Sequence, residues 1–236
     1  MADGFNHIHV EVVACTRCPR LRQYCGRIAR VRRRAYRDQS YWGKPVPGFG
    51  DPQARLLIIG LAPAAHGGNR TGRIFTGDRS GDFLFSALYR AGFANQPESR
   101  RRDDGLELKD AYITAVLHCA PPGNKPAPIE LDRCRDFLVQ ELRLLSRVQA
   151  VLTLGKIAFD QYLKTLIQIG RITQRRGIRF RHGVQYRLCE SEFGPGPDLF
   201  ASYHPSQQNT QTGRLTAPML DQVLFEIRKG LSSTNP

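Results

Sequence analysis

The sequence predicts an α/β fold, a three-layer α/β/α sandwich around a central four-stranded parallel sheet. Short unbroken apolar runs alternate with longer stretches of helical period, the pattern of strands covered by helices on both faces. The runs end in Gly, Pro or His, and polar loops follow them.

Arg55 to Leu61 (RLLIIGL) is the first run, and its lack of polar alternation suits a strand buried on both faces. Ala111 to Leu117 (AYITAVL) and Val148 to Leu154 (VQAVLTL) repeat it, and Asp198 to Tyr203 (DLFASY) ends directly at His204-Pro205. Helices are expected at Ser80 to Ala91, Ile129 to Leu145, Gly155 to Ile169 and Arg214 to Leu231. Ile172 to Arg187 reads as a basic hairpin, and Gln96 to Asp104 and the tail from Ser232 read as mobile. A length of 236 residues points to a single domain, 1–236, with an N-terminal appendage.

Parallel sheets bind ligands beyond the carboxyl ends of their strands. Gly60 to Asp78, His118 to Pro128 and His204 to Thr212 all fall on that rim, so three polar loops describe one site.

The 35 Lys and Arg against 21 Asp and Glu leave a net charge of +14, which attracts polyanions and releases their counterions. Nucleic acid is the favoured partner, because the basic run Arg30 to Arg37 lacks the apolar face of an interfacial membrane helix. No apolar run approaches the roughly 20 residues that span a bilayer. The first residues carry neither a basic nor an apolar export region, so a cytoplasmic location is expected.

In a reducing compartment the six cysteines point to metal rather than disulfides. Cys15 and Cys18 form a C-x2-C pair, and Cys119 and Cys134 a wider one. Four thiolates hold either a tetrahedral zinc or a cubane iron-sulfur cluster, and spacing alone leans to zinc. Two buried thiols at Cys119 and Cys134 are the competing reading, Cys25 is an alternative ligand, and Cys189 is expected in the core.

The segment GLAPAAHGGNRTGRIFTGDRSGDFL, Gly60 to Leu84, holds six glycines between a strand and a helix. Such loops cradle anions with bare backbone N–H groups, yet neither Gly-Lys-Ser/Thr nor G-x-G-x-x-G is present. Phe75 either stacks on a planar base or anchors the loop. Asp78 either faces the same cavity or caps the next helix. His204, alone at a strand end, gains functional weight from sharing the rim.

GLAPAAHGGNRTGRIFTGD, HPSQQNTQTGRLT and the four cysteines together resemble the family 5, B-type, iron-sulfur uracil-DNA glycosylases, over Cys15 to Thr216. The resemblance implies a uracil-DNA glycosylase-like fold and a monomer that flips a damaged base out of DNA and hydrolyses its N-glycosidic bond, leaving an abasic site. It implies that Cys15, Cys18, Cys119 and Cys134 hold a structural [4Fe-4S] cluster tying residues 1–50 to the body, which reverses the lean to zinc. Gly60, Ala62, Pro63 and Ala64 would shape the base pocket, Phe75 stack on the base, and Asn124 read its edge. His204 would donate to the base O2 as charge develops, and Ser206, Gln207, Gln208, Asn209 and Arg214 would contact DNA.

Better-known members of the superfamily carry a water-orienting Asp, Asn or Glu near the start of the first motif, where this chain has Leu61, Ala62, Ala64 and Ala65. Asp78 is then the remaining carboxylate. Stricter members carry a large aromatic after the motif proline, and Ala64 and Ala65 leave that space open for hypoxanthine and other deaminated bases. The competing functions are a zinc-containing, non-catalytic nucleic-acid-binding module, which leaves the rim loops unexplained, and a phosphate-handling enzyme, which lacks its lysine and acidic metal site.

Overall fold

A computed structural model describes residues 2–188 and 196–233. Its elements run α1 (Ala2–Ala14), α2 (Pro19–Val31), β1 (Phe49–Gly50), β2 (Leu56–Gly60), α3 (Gly68–Thr71), α4 (Arg79–Arg90), β3 (Ala111–Ala115) and α5 (Pro128–Leu144), followed by β4 (Ala150–Leu154), α6 (Lys156–Gln168), β5 (Val184–Arg187), β6 (Asp198–Ser202), α7 (Gln207–Gln211) and α8 (Ala217–Ser233). All four expected strands and all four expected helices are present within three residues of their expected bounds.

The sheet order is β1-β3-β2-β4-β6-β5. Its inner four strands are parallel, as the sequence predicts. The two edge strands are antiparallel additions, which makes the sheet six-stranded and mixed. Neither edge strand carries an apolar run: β1 is two residues long, and β5 (VQYR) alternates half-buried and exposed positions. The basic hairpin expected within 172–187 is replaced by a pairing of β5 with β6, Val184 opposite Ala201. Cys189 lies outside the described residues.

Strand alternation splits β2 between two layers. Leu56 and Ile58 pack with Leu84, Phe85 and Leu88 of α4 and with Leu220, Leu224 and Ile227 of α8. Leu57 and Ile59 face Leu138 of α5 and Phe159, Tyr162 and Leu163 of α6. Each fully buried side chain of this kind contributes about 1.5–3 kcal/mol, so the doubly covered strand fixes where β2 ends and the first rim loop begins.

Residues 2–31 form two helices seated on the body. Ile8 and Val12 of α1 pack on Phe137 of α5, and Leu21 and Cys25 of α2 pack on Leu117 and Ala120. Arg20 holds Glu130 through two hydrogen bonds of 2.7 Å, which keeps the Glu130 carboxyl below its ordinary range. Gln96 to Asp104, expected to be mobile, is pinned: Asp104 accepts from the backbone N–H groups of Arg100, Arg101 and Leu106 and from Arg73. Ser232 and Ser233 belong to α8. Among the described residues no helix is long and apolar enough to cross a membrane.

Glu141 of α5 is fully buried under β3, accepting from Thr114 Oγ1 at 2.6 Å and Tyr112 Oη at 3.4 Å. Burial pushes its carboxyl up to about 8 from an ordinary 4.5. The fold therefore favours the protonated group: its contribution is fully present below about pH 4.5 and is lost as pH rises toward 8. Glu141→Gln is expected to lose less stability than the parent between pH 5 and pH 8 in urea unfolding. Equal pH slopes for the two proteins would contradict this.

Candidate active site and cysteine cavity

Gly60 closes β2, and a Cβ there would meet Phe75 Cε2 at 2.8 Å, so only glycine lets the ring lie against the strand end. Phe75 reaches that position with φ 53°, a conformation non-glycine residues seldom adopt and one that marks stored strain. Its ring is 6% exposed and lies 5.8 Å from the His204 ring at 31°. His204 follows β6 and is half-buried, its carbonyl accepting from Asn209 Nδ2 at 2.8 Å. Burial lowers the imidazole to about 4, which keeps it neutral at pH 7.

Asp78 serves both expected roles. Its Oδ1 accepts from the Gly81 N–H at 3.0 Å and caps α4. Its Oδ2 presses on Gly67, where a Cβ would come within 1.8 Å. Burial pushes the Asp78 carboxyl above its ordinary range, opposed by the Gly81 and Ser80 amides. The carboxylate borders a cleft of about 600 Å³ that also takes in Ala64, His66, Asn124 and Gln207. Asn124 is exposed, in a turn at φ 57°.

The expected residues thus fall into two adjoining groups, Asp78 with Ala64, Asn124 and Gln207 around the cleft, and Phe75 against His204. Pro63 packs on Gly68, and Ala62 packs toward Leu21, Cys25 and Cys119. His204 to Thr212, expected as a loop, contains α7 from Gln207, with Ser206 preceding it. Gln208 is exposed, Asn209 spends its amide on His204, and the Arg214 guanidinium lies 4.6 Å from the Tyr203 ring centroid.

Sequence reasoning missed three groups. Tyr24, Arg33 and Tyr36 bring the N-terminal segment into the cleft wall; the apolar spacing Leu21, Tyr24, Cys25, Ile28 behind Pro19 is the helical signal that was available. His66 also lines the cleft, its Nδ1 2.9 Å from Tyr41 Oη. Arg70 and Arg73 are turned inward to bind the loop's own carbonyls and hydroxyls. Arg70 donates to His66 O at 2.7 Å and Gly77 O at 2.6 Å, and Arg73 to Thr76 Oγ1 at 2.9 Å and to both Asp104 oxygens at 2.8 Å. Nothing local marks these arginines, whose partners lie up to 31 residues away.

Arg73 and Asp104 are both nearly buried, 7% and 11% exposed at the side chain. Breaking such a pair strands a charge at a cost of about 3–5 kcal/mol. Arg73→Met is expected to lower unfolding stability by about that amount, and Asp104→Leu, which also strands the Arg100, Arg101 and Leu106 amides, to lower it at least as much. A single variant within about 0.5 kcal/mol of the parent would contradict this.

Cys15, Cys18, Cys119 and Cys134 line one small cavity together with Arg17, Arg22, His118 and Arg133. Burial raises the Cys18 thiol and takes Cys134 to about 12, while a hydrogen bond with Cys25, then burial, raises Cys119. Buried thiols of this kind become thiolates only beside added positive charge. Arg22 Nη1 and His118 Nε2 are buried with no hydrogen-bond partner, and Arg17 Nε donates to Cys15 Sγ at 3.4 Å. Cys25, the alternative ligand, donates to Ala120 O at 3.6 Å and does not line the cavity. Among the described residues no three His, Cys, Asp or Glu side chains are set to hold a single metal ion.

Comparison with known proteins places these features in one family. Residues 47–228 match the Uracil DNA glycosylase superfamily. The chain is 46% identical to the Type-5 uracil-DNA glycosylase of Mycobacterium leprae, over 97% of this chain and 96% of that protein. It is 48% identical to the Type-5 uracil-DNA glycosylase of Thermus thermophilus, over 92% of this chain and 94% of that protein. The Type-4 uracil-DNA glycosylase of Archaeoglobus fulgidus is more distant, 31% identical over 68% of this chain and 70% of that protein. With this family match and type-5 relatives aligned over nearly their whole length, the chain belongs to the uracil DNA glycosylase superfamily, in its type-5 branch.

Proposed function

We propose that this protein hydrolyses the N-glycosidic bond of uracil in DNA and leaves an abasic site. The observation that carries the reading is a half-buried carboxylate, Asp78, bordering the same cleft as Asn124, with the neutral His204 on the same rim of the sheet, in a chain of the type-5 branch. A base inside a duplex is unreachable, so the nucleotide is flipped into the cleft, with the net charge of +14 drawing the phosphate backbone.

Bond cleavage puts negative charge on the base and positive charge on the sugar. A neutral imidazole has an N–H to donate, and His204 supplies it to the base oxygen. Asp78 acts on the other side, its carboxylate stabilising the cationic sugar or orienting water. Asn124 both donates and accepts, which suits a uracil edge. Phe75, held by Gly60 and leaning on His204, is nearly buried in the core and backs the site with its ring. Gln207 and Gln208 on α7, with Arg214, face the DNA.

Ala64 and Ala65 leave their own side of the cleft without a bulky side chain, and hypoxanthine and other deaminated bases fit this reading as further substrates. Cys15, Cys18, Cys119 and Cys134 suit a [4Fe-4S] cluster, since four thiols line one cavity. When bound, the cluster supplies structural cross-linking and charge, not chemistry at the sugar. The chain's own part is to hold α2 against α5 beside it, through Arg20 and Glu130.

A labelled duplex carrying one uracil, incubated with the protein and treated with alkali, is expected to break at the abasic site, and a hypoxanthine duplex likewise. Asp78→Asn, which keeps the Oδ1 cap, is expected to lower single-turnover excision by about 100-fold or more with little change in DNA affinity. Intact uracil and hypoxanthine strands with the parent protein would reject the function, and near-normal excision by Asp78→Asn would reject the role of that carboxylate.

A further inference from the structure

We infer that Arg22 is a positioning residue that links the cysteine cavity to the base-pocket loop, so that the group held by the cysteines sets the geometry at Ala64 and Ala65. The inference rests on the reading of that cavity as an iron-sulfur site.

Arg22 sits on α2 and lines the cysteine cavity. Its Nη1 is buried and has no hydrogen-bond partner, an arrangement that costs about 1–3 kcal/mol, and more for a charged group, unless something else accepts from it. The guanidinium is close enough for its charge to act on Cys25 and Cys119. A cluster held by four thiolates carries net negative charge and presents sulfur acceptors, which is what a buried guanidinium N–H requires.

The other arm leads out of the cavity. Arg22 Nη2 donates to Gly43 O at 3.1 Å, and Gly43 N–H donates to Asn69 O at 3.0 Å. Asn69 N–H donates to Ala64 O at 3.0 Å, and its Nδ2 reaches Ala65 O at 3.3 Å and Cys25 O at 3.4 Å. Asn69 is 1% exposed, so water does not replace these bonds. The path from Arg22 to Ala64 therefore crosses only Gly43 and Asn69, and it closes back on α2 through Cys25. Ala62 and Ala65 pack into the same small core as Leu21, Cys25 and Cys119, which gives the link a packed side as well as a hydrogen-bonded one. Arg17 and Arg133 also line the cavity, but Arg17 already has Cys15 and Asp136 as partners, and Arg133 donates to Arg17 O. Arg22 alone of the three combines a partnerless buried nitrogen with a bond toward the loop.

The test uses anaerobically purified protein carrying its native group, as the parent, Arg22→Lys and Arg22→Met. Iron and acid-labile sulfide are quantified first; their absence from the parent rejects the iron-sulfur reading itself and is a separate outcome. With the group present, Arg22→Met is expected to release iron to a chelator about 10- to 100-fold faster. Its reduction potential should move in the negative direction, because a cation and a donor facing the reduced state are lost. Single-turnover uracil excision should fall with it. Arg22→Lys, which keeps the charge and one donor, should restore the potential toward that of the parent more fully than the release rate. Parent-like release and potential in Arg22→Met would overturn the inference. If Arg22→Met does not accumulate, Arg22→Lys decides alone: faster release with a near-parent potential supports the link, and no change in either overturns it.

Discussion

The rest of the site depends on two arginines folded into a loop that has almost no regular structure of its own. Between β2 and α4 the chain makes a single short helix, α3, and leaves carbonyls that neither sheet nor helix satisfies. Buried unpaired carbonyls are costly, and Arg70 and Arg73 supply the missing donors from within the loop. The outer ends of both side chains are held in turn, Arg70 by Gln39 and Arg73 by Asp104. A glycine-rich segment thereby becomes rigid enough to hold Phe75 at a strained φ and Asp78 against Gly67. Catalytic groups need that kind of support, because small displacements of a reacting side chain are expensive in rate.

The layered fold was legible because burial on both faces forces unbroken apolar runs, and β2, β3, β4 and β6 all have them. The edge strands were not, since half-exposed β5 and two-residue β1 leave no such signal. Gln96 to Asp104 is polar enough to read as loose, yet one buried carboxylate at Asp104 organises it. Within the site, Asp78 and His204 stood out by residue type and by place on the rim. Their protonation preferences come from burial, which depends on Gly67, α7 and the far side of the loop, none of it local in sequence. The N-terminal segment reads as an appendage because basic residues interleave the apolar stripe Leu21, Tyr24, Cys25 and Ile28 of α2.

That segment is also where the two halves of the chemistry meet. α2 presents Leu21, Cys25 and Arg22 toward the cysteines, and Tyr24 toward the cleft. One helix thus lines both the cysteine cavity and the cleft.

The central claim is that an ionised, desolvated Asp78 and a His204 that is neutral at pH 7 act on the same base, and the pH dependence of single-turnover uracil excision tests it most directly. Excision should rise through one acidic limb, lying above the ordinary aspartate value of 3.8 because Asp78 is desolvated, and then stay flat through neutrality, since His204 gains a proton only near 4. Asp78→Asn should abolish that limb. A limb centred near the ordinary histidine value of 6.5, lost on replacing His204, would contradict the account.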